Sequence, residues 1–358
     1  MRARLPLMLM AMLGLLAGLW AGLVRLGWGW PIPQATWPMH HGPLMIGGFL
    51  GTLIGLERAV AIERRWAWAA PLASGLGCLA LLAGVPGWPA PALITLGSLV
   101  LIAVVIAIAR LQPALFTVTI AAGGGAWAIG NLLWLAGRPL ADAVIWWAGF
   151  LVLTIAGERL ELSRVLRLSR AALLAFLLAV GILGAGLIVS TVDLTTGVRL
   201  AGLGMLVLTA WLLRFDLARR TARRGAGQAR FIAVCLLAGY FWLGIGGLLA
   251  LAYSGATAGP FYDALLHAIF VGFVLSMIYG HALIIFPAIL QITIPYRPRF
   301  YAHLALLHLS LVLRIAGDLG GWLDGRRWGG LLNEVAIVLF LASTVWAVVE
   351  QRRGRALG

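Results

Sequence analysis

Residues 90–110 read APALITLGSLVLIAVVIAIAR, an apolar run whose one charge, Arg110, stands at its end. An α-helix of that length covers about 30 Å, the thickness of a bilayer's hydrocarbon core. Comparable runs recur along the whole chain, at 5–26, 41–62, 66–84, 90–110, 113–136, 139–157, 170–190, 197–215, 229–252, 262–291, 299–319 and 328–349. They predict an all-α polytopic membrane protein with about twelve transmembrane helices. Composition agrees: 62% of residues are apolar, 11% are charged and the mean hydropathy is +0.99, against roughly 45–50% and 25% in soluble domains. The loops are too short for a soluble domain, so residues 1–358 are expected to form a single integral membrane domain. The first run is long and has no clear small-x-small cleavage site, and it reads as a retained helix rather than a signal peptide.

All 27 basic residues are arginine, and 21 of them precede the first run, follow an even-numbered run or lie in the tail. The positive-inside rule then places those loops and both termini in the cytoplasm. The net charge of +15 is accordingly a topology signal, and no nucleic-acid partner is expected. Cys78 and Cys235 lie inside runs, far apart and without CxxC spacing, which suggests neither a disulfide nor a thiolate cluster. Trp28, Trp30, Trp37, Trp66, Trp88 and Trp147 fall near run ends, as interfacial aromatics do.

A repeat is legible in the even-numbered segments. The second reads GFLGTLIGLER from Gly48, the sixth GFLVLTIAGER from Gly149 and the tenth GFVLSMIYGHA from Gly272. Each begins Gly-Phe, has Ile six residues on and a polar residue nine residues on: Glu57, Glu158 and His281. A weaker echo joins IGNLLWLA at 129–136 to IGGLLALA at 245–252. These echoes predict three pseudo-threefold-related four-helix units, about 1–110, 113–215 and 229–349, with the second, sixth and tenth helices towards a shared interior.

Ionisable groups are costly in hydrocarbon and therefore mark candidate sites. The 6 histidines fall in or beside the second, tenth and eleventh segments. His40 and His41 open the second; His267 and His281 lie on the tenth; His303 and His308 lie on the eleventh. At 100° and 1.5 Å per residue His267 and His281 share a face within about 40° and stand about 21 Å apart, a spacing that lets one helix serve two metal centres, one per leaflet. Depths match in two pairs, His41 with His267 and His281 with His308, while His303 is expected near the cytoplasmic surface. Neutral imidazole is a common metal ligand and a haem axial ligand. Met39, Met45 and Met277 are possible soft ligands, with core packing the commoner role for such residues.

WPMHHGPLMIGGFLGTL in the second segment and LLHAIFVGFVLSMIYGH in the tenth resemble the signature regions of NnrS-type haem- and copper-containing membrane proteins. More remotely, the layout resembles subunit I of the haem–copper oxidases and nitric oxide reductases. The motif resemblance covers about forty residues. It implies twelve helices, a link to nitric oxide, and haem on His40 or His41 together with His267, with a second centre at His281. Two departures stand out: His40-His41-Gly42-Pro43 replaces a His-x-His-Glu pattern, and the sixth and seventh segments have no histidine for an oxidase copper.

The expected function is thus a membrane haem-binding protein, b-type, with a redox, nitric oxide response or detoxification role, placed in the bacterial inner membrane. Its expected partners are the lipid bilayer, a quinone or small gas ligand, and further copies of the chain in a homo-oligomer. A haem-dependent oxidoreductase is one form of this; a secondary transporter using buried His and Glu is the rival, and a non-catalytic membrane scaffold is the third. Arg58 and Arg159, which follow the repeated glutamates, either hold a haem propionate or anionic headgroup, or simply anchor the helix ends. Glu57, Glu158 and His281, with His308 joining, suit a copper or non-haem iron site or a proton relay; the alternative is Glu–Arg pairing, which leaves His281 a bystander or a haem ligand with His308.

Overall fold

The computed structural model describes residues 4–356, which are predominantly helical and, among the described residues, contain no β-strand. Apolar runs become helices because a helix satisfies its own backbone groups. Backbone signals then mark the ends. Pro89 opens one helix at its first turn, where its missing N–H costs nothing. The Ser169 hydroxyl accepts the Ala172 amide, and the Asp193 carboxylate accepts the amides of Thr195 and Thr196, which caps two further helices. Hydrogen bonds from Thr196 hold the Asp193 carboxyl below its ordinary range.

The chain divides into two compact units, Met1–Glu158 and Arg159–Gly358. The first contains α1 (Arg4–Arg25), α2 (Trp37–Ile62), α3 (Ala69–Leu82), α4 (Pro89–Leu111), α5 (Leu115–Leu135) and most of α6 (Leu140–Ser163). The second contains the end of α6, then α7 (Arg170–Ser190), α8 (Leu194–Phe215), a short helix Ala218–Arg224, α9 (Gly227–Ala252), α10 (Gly259–Leu290), α11 (Phe300–Gly320) and α12 (Leu323–Ala356). The unit boundary falls inside α6.

Among the described residues, 11 helices are long and apolar enough to cross a membrane. The segment expected at 66–84 is the exception. It forms the 14-residue α3, preceded by one tight 3₁₀ turn at Arg65–Trp68. Because 3₁₀ turns rise about 2.0 Å per residue against 1.5 Å in an α-helix, the two together still extend about 29 Å.

Two of the helices that carry the repeat are not plain α-helices. π-helical turns run over Leu44–Gly51 in α2 and over Ala268–Leu275 in α10. Counted from the repeated Gly48 and Gly272, both stretches cover the same register, from four residues before to three after. The third copy, around Gly149, lies in unbroken α-helix. Each π stretch presents a glycine to a tryptophan of its own unit: Gly51 faces Trp127, and Gly272 faces Trp242. Trp127 is in turn stacked on Phe150, with ring centroids 5.1 Å apart.

Apolar helices lying in lipid gain little by hydrophobic burial and associate where small residues let backbones approach. On α7 and α8, a Cβ at Gly186, Gly197 or Gly204 would run into the facing backbone at Ala201, Ser190 and Leu183. A Cβ at Gly181, also on α7, would meet open space. Gly197→Val and Gly204→Val should therefore each destabilise the protein by about 1–3 kcal/mol or more through overpacking, whereas Gly181→Ala should be neutral or slightly stabilising. Unfolding in detergent followed by circular dichroism measures the difference.

Candidate functional site

Three of the histidines are held in one way. His41 Nδ1 lies 2.7 Å from the Gly18 carbonyl oxygen on α1, His267 Nδ1 lies 2.8 Å from that of Asp263, and His281 Nδ1 lies 2.8 Å from that of Met277. A carbonyl only accepts, so in each ring Nδ1 carries the proton and donates it. The lone pair of the neutral imidazole is then on Nε2, as in most ligating histidines. The remaining histidines differ. Trp242 Nε1–H donates to His308 Nδ1 at 3.0 Å, so the lone pair of His308 is already engaged and its Nε2 is a donor rather than a ligand. His40 Nδ1 is buried without a hydrogen bond. His303 is 2% exposed, with both ring nitrogens unbonded, and sits among Phe231, Tyr279, Phe300 and Phe340. It lies in the first turn of α11, near the helix end as expected, and is packed among aromatic rings.

The π stretch also alters the relation between His267 and His281. A π turn carries one residue more than an α turn, so one such turn between them shifts their angular offset from about 40° to about 140°. The alignment expected of a plain α-helix is therefore not kept across Ala268–Leu275.

The repeated glutamates and their arginines form ion pairs. In the first unit Arg58 bonds Glu158 and lies 3.9 Å from Glu57. In the second, Arg159 donates to both carboxylate oxygens of Asp216, at 2.9 and 3.3 Å, and Ser163 Oγ adds a contact at 3.4 Å. Asp216 has no side-chain exposure. Arg58 and Arg159 are thus compensated by carboxylates of the chain. Among the described residues, no group of three or more His, Cys, Asp or Glu side chains is arranged to hold a metal ion. Glu57 and Glu158 have the arginine pairing that was the alternative to a metal centre.

One network escaped the sequence reading. Asp263 sits one turn before His267 and accepts two hydrogen bonds from Arg314 of α11, at 3.0 and 3.2 Å. Its Oδ1 is 3.4 Å from His267 Nδ1. Arg326 of α12 lies 3.9 Å from Asp263 and 2.7 Å from the buried Asp318. Two carboxylates and two guanidiniums thus tie together the start of α10, the end of α11 and the start of α12. A signal for it was present: Arg314, Arg326 and Arg327 are among the six arginines that defy the positive-inside pattern. Arg314 also falls inside an apolar run, and an arginine buried among apolar helices is costly unless a carboxylate meets it.

The Arg159–Asp216 pair makes a direct test of such compensation. Asp216→Ala leaves a buried guanidinium alone and should destabilise the protein by about 3–5 kcal/mol, while Arg159→Met/Asp216→Leu should recover most of the loss. Thermal unfolding of the purified variants measures both.

No curated protein matches this chain. A family model does, over residues 4–349, under the description "Domain of unknown function (DUF8744)". The chain, matched over nearly its whole length, belongs to the DUF8744 family.

Proposed function

We propose that this chain is an integral membrane protein that binds haem through neutral histidines, with a redox or nitric oxide-linked role. The observation that carries the reading is the tautomer of His41, His267 and His281, each fixed by an Nδ1–H···O=C bond that leaves the lone pair on Nε2. His267 has a further support of the kind that metal-bound histidines have. The Asp263 carboxylate beside its Nδ1–H orients the ring and raises its basicity, and Arg314 holds that carboxylate in place. The π stretches that begin one residue after His267 and three after His41 are a backbone form frequent at functional sites.

Haem asks for only one or two imidazoles, which suits this donor set. A copper or non-haem iron site needs several convergent donors and finds no comparable support among the described residues. Bound haem would supply reversible one-electron chemistry at iron and a position for a diatomic gas. The chain's own part would be to ligate through Nε2 of His267 in the second unit and of His41 in the first.

The membrane assignment rests on exposed grease. The most apolar windows of α7 and α12 are each 33% buried, and Leu174, Leu178, Ile188, Val345 and Trp346 stand at least 60% exposed. Apolar surface of that extent is stable facing lipid. We place both termini in the cytoplasm on the arginine distribution, the chain in the bacterial inner membrane, and the helices in three groups of four. A transporter is the second reading, because the Asp263–Arg314–Asp318–Arg326 network is the sort of buried polar chain that couples ions or protons.

Optical spectra of the protein purified from haem-replete cells separate the two. A haem protein shows a Soret band that moves on reduction; a colourless preparation that takes up no haem on titration leaves the transporter. His267→Ala and His41→Ala should each diminish or shift that band while circular dichroism shows the helix bundle still folded. Asp263→Asn, which weakens the support of His267, should lower haem affinity by about ten- to a hundredfold.

A further inference from the structure

The second unit carries an open basin of about 680 Å³ where the loop between α6 and α7 meets the segment between α8 and α9. Six arginines line it: Arg167, Arg214, Arg219, Arg220, Arg223 and Arg224. Asp216 is the one acid in its wall, and both of its oxygens are taken, by Arg159 and by the Ala218 amide. The basin therefore has a large positive charge and no carboxylate left to meet it.

Four of these arginines stand in the seven-residue helix Ala218–Arg224. Arg219 with Arg223 and Arg220 with Arg224 are like charges at i,i+4, an arrangement that opposes helix formation, and a helix this short has little stability of its own. An anion bound across them removes the repulsion. A second feature indicates which anion. Arg219 and Arg223 also line an adjoining groove of about 480 Å³ whose other walls are Leu213, Ala222 and Leu237. One pair of guanidiniums thus stands between a cationic basin and an apolar groove.

We propose that this is a binding site for an anionic phospholipid, with the phosphodiester among the arginines and an acyl chain along Leu213, Ala222 and Leu237. Guanidinium groups suit phosphate oxygens by bidentate hydrogen bonding, and basic pockets beside apolar helices bind anionic headgroups. The apolar groove distinguishes a lipid from free phosphate, which has no use for it. The site is independent of haem.

The test uses the full chain in detergent, titrated with phosphatidylglycerol, with phosphatidylcholine of the same acyl chains, and with inorganic phosphate. Bound lipid is counted by native mass spectrometry. Phosphatidylglycerol should bind in preference to phosphatidylcholine, and inorganic phosphate at equal concentration should not displace it. Arg219→Gln/Arg223→Gln should weaken phosphatidylglycerol binding by about thirtyfold. Arg352→Gln/Arg353→Gln, which removes the same charge elsewhere, should leave it unchanged. Equal binding of the two lipids, displacement by inorganic phosphate, or equal weakening in both double variants would overturn the proposal. The lipid and phosphate comparisons use the unaltered protein and stand even if a variant folds poorly.

Discussion

A charge placed among apolar helices has no water to turn to, and it must be met by an opposite charge or a backbone dipole of the same chain. The polar groups of this protein follow from that constraint. Arg159 finds Asp216, Arg58 finds Glu158, and Arg314 and Arg326 find Asp263 and Asp318. Each pair costs desolvation and recovers it through close geometry, so its net contribution lies less in stability than in fixing which helices meet and at what height. The Asp263 network does this for three helix ends at once. It also places a carboxylate beside Nδ1 of His267.

Backbone geometry is a second constraint. In α2 and α10 the helix widens into π turns over the same register of the repeat, and at each widened stretch a glycine admits an indole ring. The Trp242 ring seated on Gly272 is the one whose N–H satisfies His308. A side chain larger than hydrogen at Gly272 would push that indole away and leave His308 Nδ1 without its donor. Helix shape, aromatic packing and histidine tautomer are thus coupled through a single missing Cβ.

Histidines that look alike in the chain consequently differ in chemistry. His267 and His281 each donate to the carbonyl four residues back, a bond that helical spacing makes available to any histidine in mid-helix. His308 has a donor aimed at it from another helix and so takes the opposite tautomer. His303 has neither and is surrounded by aromatic rings. Identity and depth distinguish none of these cases, because the deciding atom lies on another helix or in the helix's own backbone.

The all-helical nature of the chain, eleven of its candidate spans and the crowding of arginine at alternate loops are properties of the sequence alone, since they depend on run length and on charge counted along one dimension. The repeat was legible too, and the backbone answers to it at Gly48 and Gly272 although not at Gly149. Partner choice was not legible. That Glu158 would meet Arg58, a hundred residues away, and that Arg159 would meet Asp216 depends on helix rotation. So does the separation of His267 from His281, because one π turn redirects every side chain beyond it. Run length survives such rotations and facing does not, so eleven of the twelve expected spans could be read from the chain while the contacts that build a site could be read only from the fold.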